Sequence, residues 1–174
     1  MKLTQMKLTK KDRIFLINQY EIRKRLDPGQ AEYCENIIEI LQHGYETFYS
    51  EMDEWVADGM SVEKQTFIID ILNIYRAIEN YKDGNPNDTE IYEHHLSTFG
   101  GFDGNNETEY LLFTQFIITR MGRFVEQQRY VDKTDNFNSH MPMIDNYRDM
   151  VRKWIELGKP LRMSRENILA ILNA

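Results

Sequence analysis

Apolar residues spaced three or four positions apart, interrupted mainly by Gly, Pro and Asn, constrain the fold of this chain more than any other feature. This spacing places the apolar side chains on one face of an α-helix. No segment shows the alternation of apolar and polar residues that is typical of a half-buried strand. The sequence therefore predicts an all-α protein with about six to eight helices.

Capping and turn residues give approximate bounds for the first helices. Thr9 is a favourable N-cap residue with Asp12 three positions later, and Pro28-Gly29 ends the helix that follows. A second helix is predicted from about 31 to 43, ended by Gly44, and a long one follows Ser61 to about 81. Shorter helices are expected over 45–57 and 89–98.

The most apolar segment covers 107–128. Its first half is apolar almost all round, which predicts the central, buried helix of the domain. Arg120 and Arg123 on this helix must reach a carboxylate, a ligand or the surface, and we expect internal ion pairs. After a polar loop, Pro142 suits the first position of the next helix, and Ser164 suits the N-cap of the last.

Length and composition favour one compact domain. A chain of 174 residues with 41% apolar and 28% charged residues has an ordinary globular composition and is long enough to bury a core. We predict a single domain over 1–174, in which residues 1–8 form a weakly anchored N-terminal extension.

Three features predict a soluble protein of the cytoplasm. Residues 1–7 lack the apolar segment of a signal peptide, and no window approaches the roughly 18 uncharged apolar residues of a membrane helix. Cys34 is the only cysteine, as is typical of proteins in a reducing compartment. Its position among Ile and Leu residues predicts a buried side chain.

Charge is distributed unevenly along the chain. Residues 1–30 carry a net charge of +5, residues 31–109 carry −15 and residues 110–174 carry +3, which gives −7 in total. The acidic middle disfavours nucleic-acid binding because it repels phosphate. The basic N-terminal helix, with Lys10, Lys11 and Arg25 among its cations, keeps a nucleic-acid-binding regulator as an alternative. Opposite charges in one chain are also compatible with basic ends that fold over the acidic middle, or with two copies that meet through opposite patches, and they favour self-recognition.

An aromatic segment favours a homo-oligomer, first of all a symmetric dimer. Tyr45, Phe48, Tyr49, Met52 and Trp55 recur at helical spacing, and the first four fall on two neighbouring faces. One inward face would not cover them all, and exposed Tyr, Trp and Met are typical of an interface core. The alternative is an irregular segment that turns all five side chains inward.

The sequence predicts neither a metal ion nor a cofactor. His94 and His95 point about 100° apart on a helix, and neither HExxH nor paired CxxC occurs. Residues 103–107 resemble the start of a calcium loop, but Thr108 and Thr114 stand where that loop requires Gly and Glu. A turn followed by a helix cap explains these residues.

No catalytic constellation is evident, and we predict no catalytic residue. GxSxG is absent, and the glycines at 100–104 do not follow a phosphate-binding pattern. For an enzyme or a small-molecule binder, we expect the pocket near Asp103, Arg123 and His140. His140 lies in the polar loop, where functional residues often occur, and Arg123 lies on the most apolar predicted helix.

An ordered set of motifs from about Met6 onward resembles the YfbU family. The motifs are NQYE at 18–21, LDP at 26–28, HGY at 43–45, FGGFDGNNE at 99–107, GRF at 122–124, FNSHMPM at 137–143 and ILNA at 171–174. The resemblance implies an all-helical cytoplasmic bacterial protein. The family has no established biochemical activity, so the resemblance implies no reaction and no catalytic residue.

Three functions are therefore open, in order of preference. The first is a non-catalytic protein-binding or regulatory homo-oligomer, because interaction requires no catalytic constellation. The second is a nucleic-acid-binding regulator that uses the basic N-terminal helix. The third is an enzyme or small-molecule binder. We expect no membrane partner.

Overall fold

The computed structural model describes residues 6–53, 56 and 59–174, apart from the side chain of Asp53. This part of the chain is all-α, as predicted, and we number its α-helices α1 to α8 in chain order. Their bounds are Lys10–Leu26, Ala31–His43, Ser50–Asp53, Val62–Gly84, Thr89–Tyr92, Thr108–Gln115, Ile144–Glu156 and Arg165–Leu172. Short 3-10 turns cover Pro28–Gln30, Glu46–Phe48 and Val125–Tyr130, and a π-helical turn covers Phe116–Arg120.

Contacts within the chain divide it into two compact units, residues 1–59 and 60–174. Each unit has a hydrophobic core of its own. The prediction of a single domain stays a prediction. Within the described residues, every helix is too short or too polar to span a lipid bilayer.

The first unit is built on α1 and α2, which pack against each other. α1 begins with the predicted capping box, in which the Thr9 hydroxyl accepts from the Asp12 amide and the Asp12 carboxylate accepts from the Thr9 amide (2.9 Å). α2 ends at Gly44, whose φ of 69° suits glycine. The core consists of Ile37, Leu41, Tyr49 and Met52, against which Met6 and Leu8 also pack. Residues 1–5 of the expected extension lie outside the described chain.

The aromatic segment after α2 turns two side chains inward and two outward. A 3-10 turn and the short α3 stand where one helix was predicted over 45–57. Tyr49 and Met52 are buried, whereas Tyr45 and Phe48 are exposed. Trp55 lies outside the described residues, so its place in the predicted patch is untested.

The second unit is organised around α4. Ser61 caps this helix, as predicted, by accepting from the Lys64 amide (3.3 Å). Nine residues of α4 are buried, and α7 packs against it. α8, which has the predicted cap Ser164, packs against α7 in turn.

Five buried aromatic rings lie at the centre of the second core. The Phe99 ring centroid lies 5.2 Å from that of Tyr75, 6.0 Å from Phe102, 5.7 Å from Phe137 and 5.8 Å from Tyr147. Pairs at these separations contribute about 0.5–1.5 kcal/mol each beyond the burial of their area. Burial raises the pKa of both Tyr75 and Tyr147, because a phenolate in this core would lose its water.

The helix predicted over 107–128 is not continuous. α6 ends at Gln115, a π-helical turn continues to Arg120, and left-handed φ angles at Gly122 (62°) and Phe124 (52°) then redirect the chain. α6 buries two of its residues whereas α4 buries nine, so α4 supplies more of the core. Leu112 and Phe116 are exposed, which composition alone did not predict.

Two further helix bounds differ from the prediction. The helix expected over 89–98 is the four-residue α5. α7 begins at Ile144 and not at Pro142. The physical reason for the later start is that the Glu107 carboxylate accepts from the amides of Met143 and Ile144, which places these groups at the helix terminus.

Gly101 marks a close approach between two loops of the second unit. Its φ is +88°, and a Cβ added there would lie 1.8 Å from the Phe137 carbonyl oxygen. That oxygen accepts from the Phe102 amide (2.9 Å), and the Phe102 carbonyl accepts from the Ser139 amide (3.1 Å). Glycine is therefore required at this position.

Replacing Gly101 by alanine should reduce the free energy of unfolding by more than about 4 kcal/mol, because the new Cβ collides with backbone. Urea unfolding followed by circular dichroism measures the change. In the control Gly84→Ala the added Cβ meets no atom within 4 Å, and stability should change by less than about 1 kcal/mol. Equal stability of the two variants would contradict the close approach.

Candidate functional site

Two loops of the second unit, over 99–107 and 134–143, lie side by side and carry two of the longest motifs. Phe102 pairs with Asn138 in an isolated backbone bridge. From α7, the Tyr147 hydroxyl donates to the Gly101 carbonyl oxygen (3.0 Å). These contacts bring residues far apart in sequence into one group, which we call the loop cluster.

Glu107 is the central acceptor of the loop cluster. Its buried carboxylate accepts from the backbone amides of Asp103 (3.0 Å), Met143 (2.8 Å) and Ile144 (2.9 Å). The last two amides begin α7, so the negative charge also lies at the positive end of that helix dipole. One side chain thereby holds the 99–107 loop and the start of α7 together.

Asp103 is held by its own loop. Its buried carboxylate accepts from the Asn105 amide (3.0 Å) and from the Asn106 side chain. These hydrogen bonds lower the pKa of Asp103, and the Asn105 amide contributes most. Because the carboxylate oxygens are engaged within the loop, this arrangement stabilises the fold and leaves little capacity for a ligand.

The loop over 134–143 has an unusual backbone. Four residues other than glycine have left-handed φ angles, namely Asp135 (47°), Asn136 (53°), Phe137 (64°) and His140 (54°). Such conformations cost about 1–3 kcal/mol each and persist where surrounding contacts hold them. Phe137 is buried among the aromatic rings, and Asn138 Oδ1 accepts from the His140 amide (3.2 Å).

A groove of about 390 Å³ lies beside this loop, and Asp135 and His140 are among its lining residues. The exposed side chains of the two residues meet, with Oδ2 of Asp135 3.0 Å from Nε2 of His140. The Ser139 hydroxyl donates to the Met141 carbonyl oxygen (2.6 Å). The groove therefore presents a His–Asp pair to solvent but not a serine activated by that histidine.

The three residues expected near one pocket are not all brought together. Asp103 and His140 both lie in the loop cluster, where Asn138 Oδ1 accepts from the amides of Gly104 (3.0 Å) and His140 (3.2 Å). Arg123 instead lines another cleft, of about 370 Å³, beside Phe124. This cleft and the groove at His140 share no lining residue. Arg120 and Arg123 are both exposed, whereas we had expected internal ion pairs.

The histidine and cysteine residues do not converge. Among residues 6–53, 56 and 59–174, no three His, Cys, Asp or Glu side chains lie close enough to hold a metal ion. The rings of His94 and His95 stack 4.7 Å apart, and burial, followed by the charge of His95, lowers the pKa of His94. Cys34 is free and buried, as its apolar neighbours predicted.

In the first unit, α1 is apolar on two opposite faces. Leu16, Ile17 and Tyr20 pack against the core of the unit. On the other side, four large apolar side chains are exposed, namely Ile14 (60%), Phe15 (63%), Ile22 (51%) and Leu26 (80%). Because successive helical residues turn by about 100°, Phe15, Ile22 and Leu26 form one stripe, and Ile14 lies on the other side of the polar line formed by Lys11, Asn18 and Arg25. We call the four apolar residues, together with Lys11 and Arg25, the α1 outer face.

A second apolar surface of the first unit carries the opposite charge. A cleft of about 270 Å³ is lined by Asn36, Glu39, Ile40, Tyr45, Phe48 and Glu51, and we call it the acidic cleft. In the described part of this unit, the ion pairs are those of Lys24 with Glu21 and Glu35 (3.5 Å each). The charges of the α1 outer face and the acidic cleft are therefore available to a partner.

Comparison with known proteins establishes the family. The sequence profile of the YfbU domain matches residues 6–174. This chain belongs to the YfbU family. It is similar to the UPF0304 protein MJECS11 of Methanocaldococcus jannaschii, with 47% identity over 169 residues that cover 96% of this chain and 99% of the relative. That organism is an archaeon, so a bacterial origin does not follow from membership of the YfbU family.

Sequence reasoning did not identify Glu107 as the residue on which the YfbU-family loop cluster depends. It considered Glu107 only as part of the calcium-loop pattern over 103–107 and of the motif at 99–107. The sequence contains a weak signal, namely a carboxylate directly before an apolar helix. Its partner amide at Met143, however, lies 36 residues away, which local patterns do not reveal.

Replacing Glu107 by glutamine should reduce the free energy of unfolding by about 2–4 kcal/mol, because one of its two acceptor oxygens becomes a donor facing buried amides. Chemical denaturation at pH 7 measures the loss. The control Glu109→Gln alters an exposed ion pair with Lys64 (2.7 Å) and should change stability by less than about 1 kcal/mol. Similar losses in both variants would contradict the role of Glu107.

Asp103 should make stability depend on pH. Its pKa is lowered in the folded state, so its stabilising effect is complete above the unfolded value of about 3.9 and is lost as pH falls through the lower folded value. The destabilisation caused by Asp103→Asn should therefore be largest near pH 7 and should shrink at acidic pH. Urea unfolding of both proteins across this range would reveal it. A difference that stays constant would contradict the assignment.

Proposed function

We propose that this chain is a non-catalytic, protein-binding homo-oligomer of the cytoplasm, first of all a dimer, and that the α1 outer face is its interface. One observation carries the proposal: none of the residues of α1 is buried, while four of its large apolar side chains are exposed on the side away from the core. Large apolar side chains exposed in this number favour a partner surface that covers them.

The magnitudes are consistent with self-association. Full burial of a Leu, Ile or Phe side chain contributes about 1.5–3 kcal/mol, so these half- to four-fifths-exposed side chains can gain roughly 1–2 kcal/mol each. Eight such side chains in a symmetric dimer would contribute roughly 8–16 kcal/mol, against an association cost of about 4–15 kcal/mol. A dimer that forms at micromolar concentration is within this range.

Charge supports binding to protein over binding to nucleic acid. Lys11 and Arg25 lie beside large apolar side chains, whereas a phosphate-binding helix face is typically polar and basic throughout. The segment 31–109, with its net charge of −15, repels phosphate. An enzyme or small-molecule binder is supported less, because Arg123 lines a cleft other than the groove at His140.

The cytoplasmic location rests on Cys34. It is a free and buried thiol, and it is the only cysteine of the chain, so no disulfide contributes to stability. A stable fold without disulfides suits a reducing compartment.

Replacing Ile22 by glutamate should convert the dimer to a monomer without unfolding it, because the change places a charge in the exposed α1 stripe. Sedimentation velocity at micromolar concentration should show about twice 20.8 kDa for the wild type and 20.8 kDa for the variant. The control Ile155→Glu alters an isoleucine on α7 that is equally exposed (50%) and should remain a dimer. A wild-type protein that sediments as a 20.8 kDa monomer would overturn the proposed function.

A further inference from the structure

We propose that the α1 outer face of one copy binds the acidic cleft of a second copy, and that the two copies do so reciprocally about a two-fold axis. This pairing rests on the proposed function, since it requires a homo-oligomer. It goes further by naming the surface that covers α1, which exposure alone does not identify.

The two surfaces are complementary in chemistry. The α1 outer face combines aliphatic and aromatic side chains with the cations Lys11 and Arg25. The acidic cleft combines exposed rings of Tyr45 and Phe48 with the carboxylates of Glu39 and Glu51. Apolar surfaces that carry opposite charges attract each other. Two acidic clefts, or two α1 outer faces, would repel each other because like charges would meet, so pairing of either surface with its own copy is disfavoured.

The area of the α1 outer face favours a reciprocal dimer over a single contact. α1 has 17 residues, so it is about 25 Å long, and one face about 10 Å wide covers roughly 250 Å². One contact buries roughly twice that area when both partners are counted, well below the about 1,200 Å² of the smaller stable interfaces. Reciprocal pairing doubles the buried area and brings it near that limit, as expected for a weak dimer.

Charge reversal tests the pairing in the full-length chain. The first variant carries Lys11→Glu and Arg25→Glu, and the second carries Glu39→Arg and Glu51→Arg. Each variant alone opposes like charges at both contacts, so each should sediment at 20.8 kDa under conditions in which the wild type sediments at about twice that mass. All four residues are exposed, so the fold should be retained, which circular dichroism checks.

Mixing the two variants provides the decisive measurement. In the mixed pair, the altered α1 outer face meets the altered acidic cleft with opposite charges restored, and the other contact is between two unaltered surfaces. An equimolar mixture should therefore regain the dimer mass, and raised salt should weaken it. Should a reversed variant fail to fold, the neutral variants Lys11→Gln/Arg25→Gln and Glu39→Gln/Glu51→Gln should each weaken the dimer, because each removes one member of every charge pair.

The outcomes separate this pairing from the proposed function. A monomeric wild-type chain overturns both. A dimeric wild-type chain whose two variants remain dimers overturns only the pairing, as does a mixture that remains monomeric. Loss of the dimer in the α1 variant alone indicates that α1 contacts a surface other than the acidic cleft, and this also overturns the pairing while leaving the homo-oligomer intact.

Discussion

The buried carboxylate of Glu107 accepts from three backbone amides that belong to two separate parts of the chain. Removing a carboxylate from water costs several kcal/mol unless hydrogen bonds replace the water, and here three backbone donors do so. Because two of these amides begin α7, the position of that helix depends on the loop over 99–107. The backbone pairing of Phe102 with the 134–143 loop depends on the same arrangement.

The aromatic core and the strained loop follow from this constraint. Once the two loops are joined, Phe99, Phe102, Phe137 and Tyr147 meet in the second core. Their burial offsets the cost of left-handed backbone at Phe137. The buried carboxylates of Glu107 and Asp103 bond groups within the loop cluster and thereby hold the fold. The exposed His140–Asp135 pair lines the groove beside them.

The surface of the first unit has a different character. There, large apolar side chains are exposed on a regular helix and beside a cleft, with cations at one surface and carboxylates at the other. Exposed apolar groups of this size favour association because covering them releases ordered water. In the second unit of this YfbU-family chain, Asp103 and His140 share the loop cluster, whereas Arg123 lines a separate cleft.

The caps at Thr9, Ser61 and Ser164 and the end of α2 at Gly44 could be predicted because each depends on residues within one helical turn. The all-α class and the burial of Cys34 could be predicted from the spacing of apolar residues. Tertiary structure decided the break after Arg120, the later start of α7 and the acceptor role of Glu107, because their partners lie far away in sequence. It also decided which apolar faces are exposed. Periodicity identifies a face but not the partner that covers it. For α1, only the folded chain showed that Leu16, Ile17 and Tyr20 pack on the core while Ile14, Phe15, Ile22 and Leu26 remain exposed.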